Sequence, residues 1–218
     1  MSRAVRACAR VAAVRRSSPV PRGRIALASA VVLLVVGGIV GGLVISQRSG
    51  AVRTIAWAQV PGLQTGPAPW NSGSATLAER LPPAGLHPLT MEGAVIHIHQ
   101  HLDVFVNGRK VPVPALIGID PVDNFLTEIH THDASGIIHV ESPTQRTFTL
   151  GQLFCEWGVK LTRTCLGPYR GTIAWWVNGR RMSGDPAQLV LAAHQEIVVA
   201  AGTPPSHVPH GYPFPAGL

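Results

Sequence analysis

Charge is scarce in this chain of 218 residues: only 13% are Asp, Glu, Lys or Arg. Acidic residues are missing altogether from positions 1–24, which hold seven arginines: Arg3, Arg6, Arg10, Arg15, Arg16, Arg22 and Arg24. The rest of the chain balances, with eleven Lys+Arg against eleven Asp+Glu, so the formal charge of +7 lies wholly in that first stretch. A nucleic-acid-binding domain needs its cationic patch on the folded part, so no nucleic-acid partner is expected. A chain disordered throughout is excluded by a hydrophobic content of 46%. No G-x-S-x-G, H-E-x-x-H or P-loop motif occurs, which removes the common serine-hydrolase, zinc-protease and nucleotide-triphosphate readings. Cysteine is scarce too, at three residues.

What the first stretch does have is an apolar neighbour. Ile25–Ile45 contains no charged residue, and at about 1.5 Å per residue it reaches roughly 31 Å, close to a bilayer's hydrocarbon thickness. Residues 25–46 are therefore expected to form a single transmembrane helix in contact with membrane lipid. The arginines before it place 1–24 as a cytoplasmic tail and 47–218 outside the cell membrane. A cleaved signal peptide is the rival reading. Its apolar core would be shorter, and the Ala56-Trp57-Ala58 triplet lies well past the span. Gly37 and Gly41, with Gly38 and Gly42, give G-x-x-x-G spacings that would suit a homodimer of the span. A glycine-rich membrane helix without a partner is the simpler account of them.

Cys8 falls in the tail; Cys155 and Cys165 fall in the exported part. An oxidising exterior and an even exported count predict a disulfide between the latter two.

Residues 47–90 are rich in Pro, Gly and Ser and lack a sustained period, so they read as a linker, with at most one helical turn over Thr76–Arg80. Residues 91–202 read as a folded domain. Val95–Val106 alternates and meets Asn107-Gly108, a strong hairpin signal, with a return strand over Lys110–Leu116 whose Pro112 and Pro114 imply an edge. Leu126–Asp133 and Gly136–Glu141 form a second expected hairpin. Thr149–Gly158 has the capping box and the terminal glycine of a helix. Thr172–Val177, turning at Asn178-Gly179, and Glu196–Ala200 complete the strands. The order predicts an α+β fold, a mixed sheet with one main helix, β-grasp-like or a small β-sandwich. Residues 203–218 are Pro-rich, and they are expected to run extended along the domain through Tyr212 and Phe214.

Six of the ten histidines lie within 97–141. On a strand, residues two apart share a face, so His97, His99, His101 and Asp103 line one side. Glu128, His130 and His132 do the same on the next hairpin, and His139 and Glu141 on its partner. If these faces meet, imidazoles and carboxylates converge from three strands, the donor set of a zinc or copper ion. The expected ligands are His99, His101, His130 and His132, with His97 and His139 as alternates. Asp103, Glu128 and Glu141 are expected to orient the rings from behind. Two other readings stand beside this one. The first is a structural layer in which Asp103, Glu128, Asp133 and Glu141 pair with the rings. The second is a pH-sensing cluster.

Strand-borne histidines are also how α-carbonic anhydrases hold zinc, but this domain is far shorter. The cupin pattern fails: Gly93 is too close to His97, Asp103 stands where a Glu belongs, and the second motif is missing. Taken together, HxHxHLDVFVNG at 97–108, HTHDxxGIIHVESP at 130–143, FTLGQLFxxWG at 148–158 and PFPAGL at 213–218 resemble an uncharacterised family of membrane-anchored exported bacterial proteins. That resemblance implies that the histidine segments form one unit and carries over no catalytic residue. The leading expectation is an extracytoplasmic metal-binding protein that binds, transfers or senses a transition metal. The alternatives are a hydrolase or lyase using a zinc-bound water, and an interaction module with a structural histidine layer.

Overall fold

The computed structural model describes residues 52–218; the basic tail, the span 25–46 with Gly37 and Gly41, and Cys8 lie outside the described residues. Among the described residues no helix is long and apolar enough to cross a membrane.

Alternation builds the centre of the fold. In Ile96–Val106 (β1), Ile96, Ile98, Leu102, Val104 and Val106 face the core, and His97, His99, His101 and Asp103 occupy the opposite face. Asn107 and Gly108 then take φ values of 50° and 79°, the left-handed backbone that a two-residue hairpin of the correct twist requires. Arg109–Val111 (β2) returns along the C-terminal half of β1. The return is shorter than the expected Lys110–Leu116, because Pro112 and Pro114 bring no N–H to extend the ladder.

Ile129–His130 (β3) pairs antiparallel with Ile137–Ser142 (β4), and β4 pairs antiparallel with the N-terminal half of β1. Ala174–Val177 (β5) and Arg180–Arg181 (β6) turn at the second Asn-Gly pair. Glu196–Ala201 (β7) lies between β5 and β1, antiparallel to the former and parallel to the latter. The sheet runs β6-β5-β7-β1-β4-β3, with β2 beside β1. The one parallel pair makes it a mixed sheet in an α+β fold, as the sequence predicts.

Two eight-residue helices, Leu77–Ala84 (α1) and Leu150–Trp157 (α2), pack with the sheet in one apolar core. Helix α2 obeys its sequence signals. The Thr149 N–H donates to Gln152 Oε1 at 2.9 Å, the Thr149 side chain accepts in return, and Gly158 ends the helix at φ 71°.

Helix α1 corrects the expected linker. Ile55, Val60, Trp70, Leu77, Leu81, Ala84 and Leu86 are buried in the same core as the sheet. The wide apolar face of the sheet needs more cover than α2 alone supplies, and this segment supplies it. Arg80 fixes the arrangement. It is fully buried, and its Nε and Nη2 donate to the Glu156 carbonyl oxygen at 3.1 and 2.8 Å, so a cation sits on the last turn of α2. Its other nitrogen contacts are Thr76 Oγ1 and the Gly73 carbonyl oxygen.

The expected disulfide is absent. Cys155 and Cys165 are both buried thiols. Cys155 turns its Sγ toward the Arg80 carbonyl oxygen of α1, 3.9 Å away, whereas Cys165 lies in the middle strand of a small separate sheet.

The histidine-bearing face of the large sheet is covered at one end by the C-terminal segment. Val208 packs with Trp176, Val198 and Phe105, and Tyr212 stacks flat on His101 at 3.8 Å between centroids.

Candidate metal centre

Strand register decides which histidines meet. His99 stands opposite His139 across the β1–β4 pair, and His139 stands opposite His130 across β4–β3. One row of imidazoles therefore crosses three strands, where facing side chains are closest. The next row sets His97 opposite Glu141. His132, two residues past His130, keeps to the same face. The result is a continuous group of rings: His97–His99 at 4.9 Å, His99–His139 at 4.6 Å, His132–His139 at 4.5 Å and His130–His132 at 4.7 Å between centroids.

His130, His132, His139 and Glu141 each offer one ligand atom, all within 4.8 Å of one another. The Nε2 atoms of His130 and His132 are 3.2 Å apart. Behind the first of them, the His130 Nδ1–H donates to the Thr127 carbonyl oxygen at 2.9 Å. That bond fixes the tautomer, leaves the Nε2 lone pair aimed into the group, and is the usual support behind a metal-bound imidazole. His97, His99 and Glu141 form a second set under the same distance limit.

The electrostatics suit a cation. Burial, opposed in part by the Thr127 hydrogen bond, lowers the pKa of His130 to about 4. Burial and the neighbouring rings of His132 and His130 lower that of His139 to about 3. His99 is lowered for the same kind of reason, burial first and then His97. At neutral pH these rings are uncharged, the form that coordinates metal. Glu141 is pushed the other way, up to about 7, first by burial and then by the charge of Glu92. Two buried atoms in the group have no hydrogen-bond partner, His99 Nε2 and Glu141 Oε2. Buried polar atoms are rarely left so, and a cation between the rings would satisfy both.

The other sequence-predicted residues lie elsewhere. His101 is two residues beyond the row, opposite Ile137 on β4 and Glu196 on β7. Its Nδ1 faces Glu196 Oε2 at 2.7 Å and its Nε2 the Ser135 carbonyl oxygen at 3.0 Å, so both nitrogens already have oxygen partners. Asp103 meets Lys110 Nζ at 2.6 Å and lies 4.0 Å from His101 Nε2. Together His101, Asp103 and Glu196 make a third compact polar group, separate from the row. Glu128 does not orient the rings. It accepts from the His87 N–H at 2.9 Å, pairs with His87 Nδ1 at 3.0 Å and meets Arg146 Nη1 at 3.3 Å. Its backbone still meets β4, where the Glu141 N–H donates to the Glu128 carbonyl oxygen at 2.8 Å, but its side chain turns to His87 and Arg146 instead of the row.

Sequence reasoning missed Glu92, whose Oε1 is 3.5 Å from His132 Nε2 on the open side of the group. It precedes β1 in an irregular segment, and no period in the sequence connects it to the histidines. His139, named only as an alternate, stands at the centre of the row. Comparison with protein-family models, with curated proteins and with solved structures finds no match for the chain.

Proposed function

We propose that the protein binds a divalent transition metal, zinc or copper, through His130, His132, His139 and Glu141, and works in metal binding, transfer or sensing. The observation that carries this reading is the convergence of those four ligand atoms within 4.8 Å, with the His130 ring oriented by the Thr127 carbonyl. Three neutral nitrogens and one carboxylate are an ordinary donor set for either metal. A purely structural layer would pair its rings with acids one by one. Here one carboxylate, Glu141, faces His97, His99 and His139 together, and His99 Nε2 has no hydrogen-bond partner. Four protein ligands fit holding an ion better than hydrolysis, which needs an open coordination position. The cellular setting rests on the sequence alone: the arginine tail and the span 25–46 anchor the chain in the cell membrane with this domain outside.

The test is elemental analysis of the full chain, purified without an affinity tag, loaded with zinc or copper and desalted. At least one tightly held ion per chain is expected, and the His130→Ala/His139→Ala variant is expected to lose it. A parent chain that retains no metal overturns the reading.

A further inference from the structure

The site holds more donors than one ion uses. Five imidazoles and a buried carboxylate lie on adjoining rows of one sheet face, and a zinc-type ion takes four ligands. The His130, His132, His139 and Glu141 set leaves His97 and His99 over. These two rings are neighbours on β1 and reach the same carboxylate: His97 Nε2 lies 3.4 Å and His99 Nε2 4.0 Å from Glu141 Oε1, while His139 Nδ1 is 3.1 Å from that oxygen. Glu141 therefore belongs to both ligand sets, one drawn from β3 and β4 and the other from β1.

A carboxylate has two oxygens, and in dinuclear sites it commonly spans ions about 3.5–4 Å apart. All three ring contacts reach Oε1, so a bridge requires the carboxylate to turn Oε2, which has no hydrogen-bond partner, toward one of the two ions. The rows of His99 and His97 are two residues apart, roughly 7 Å along the strand, and the acid projects from β4 at the second row. The unpartnered His99 Nε2 points to the same conclusion, because the first ion has no need of it.

We infer that the site binds two divalent ions bridged by the Glu141 carboxylate, the first held by His130, His132 and His139 and the second by His97 and His99. The inference rests on the metal-binding reading above and extends it. The second ion has only three protein ligands, so a tetrahedral ion there keeps one position for solvent or an incoming ligand. The first ion has four protein ligands, one of them the exposed His132. The second faces outward, since the His97 side chain is 55% exposed.

The experiment is a copper(II) titration of the full chain, followed by metal analysis and electron paramagnetic resonance. The expected result is two ions per chain. An isolated-ion spectrum is expected at one equivalent, and dipolar broadening with a half-field transition is expected only as the second equivalent enters. The His97→Ala/His99→Ala variant should hold one ion and show no half-field signal; its retained ion also reports that it is folded. A parent that saturates at one ion overturns the bridge and leaves the four-ligand site standing. Two ions without spin interaction, or a variant that still binds two, overturn it as well. A parent that binds none removes the bridge and the metal reading together. If the variant does not fold, the parent titration alone decides.

Discussion

The imidazole rings of His130 and His139 lie parallel, 7° apart in tilt and 5.5 Å between centroids, on strands that pair directly. The backbone register sets them side by side, and because imidazole ligates through an edge nitrogen, an ion held by both lies at the ring edges and not between the faces. Substituting His139 with alanine removes the central ring of the row. A loss of at least 100-fold in zinc affinity is expected, measured by competition with a chelating dye, since perturbing a supporting group alone typically costs 10–100-fold. The same change at His101, whose nitrogens are engaged by Glu196 and Ser135, should leave affinity within a few-fold. Equal losses at the two positions would count against the ligand set.

How much of this was legible in the sequence depends on the range of the interaction. The alternation of Val95–Val106 and the Asn-Gly hairpins are local signals, and the structure follows them. The β1–β4 pairing that puts His99 opposite His139 joins segments forty residues apart, and no local period encodes that register. His101 was expected among the ligands because alternation gives a face and not a position along it. Residues 55–86 read as a linker because their buried apolar residues are irregularly spaced between prolines and glycines. Their role becomes visible only beside the sheet face they cover. The disulfide expectation rests on compartment and an even cysteine count, neither of which carries the distance between the two side chains.

Glu156 offers a test of burial away from the metal group. It is fully enclosed on α2, neither carboxylate oxygen has a hydrogen-bond partner, and burial holds its pKa well above the usual carboxylate range. A carboxyl group with a raised folded-state pKa contributes fully below its unfolded value, near 4.5, and that contribution is lost as pH rises toward the folded value. Glu156→Gln keeps the shape and removes the titration. The variant should therefore gain in melting temperature relative to the parent as pH rises from about 5 to 8, with a constant offset below pH 4.5. A difference that stays flat with pH across the whole range would show that Glu156 is not a buried neutral acid.

The thiols of Cys155 and Cys165 should be silent in the native protein. Burial pushes the Cys155 thiol up to about 12, and Cys165 is also buried. The thiolate is the reactive form, so a thiol reagent should find Cys155 and Cys165 only after unfolding. Mass spectrometry after alkylation in denaturant, without reductant, should show both carrying the label. Recovery of a peptide linking the two would restore the disulfide that the sequence predicts.

Tyr212 ties the C-terminal segment to the sheet by stacking on His101 and meeting Phe214 edge to face at 5.1 Å. Aromatic pairs of this kind contribute about 0.5–1.5 kcal/mol beyond their buried area. Tyr212→Ala should release residues 203–218, seen as faster proteolysis and amide exchange in that segment, with metal stoichiometry unchanged. Loss of metal in this variant would mean that the segment supports the site as well as the fold.

The turn between β3 and β4 sets the histidine rows, and Gly136 is its constrained point. Its φ is +91°, and a Cβ there would sit 2.7 Å from the Leu102 carbonyl oxygen and 3.0 Å from His101 Nε2. Gly171 has a comparable φ of +121°, with nothing within 4 Å of an added Cβ. Alanine at Gly171 therefore carries backbone strain alone, on the order of 1 kcal/mol. Alanine at Gly136 adds a collision with β1 backbone that the turn can relieve only by moving β4 away from β1. Gly136→Ala should lower the melting temperature by clearly more than Gly171→Ala. It should also weaken binding of the second ion while sparing the first, because Glu141 travels with β4 while His97 and His99 remain on β1. Equal effects of the two substitutions would show that strain, and not the close approach of the turn to β1, is what Gly136 relieves.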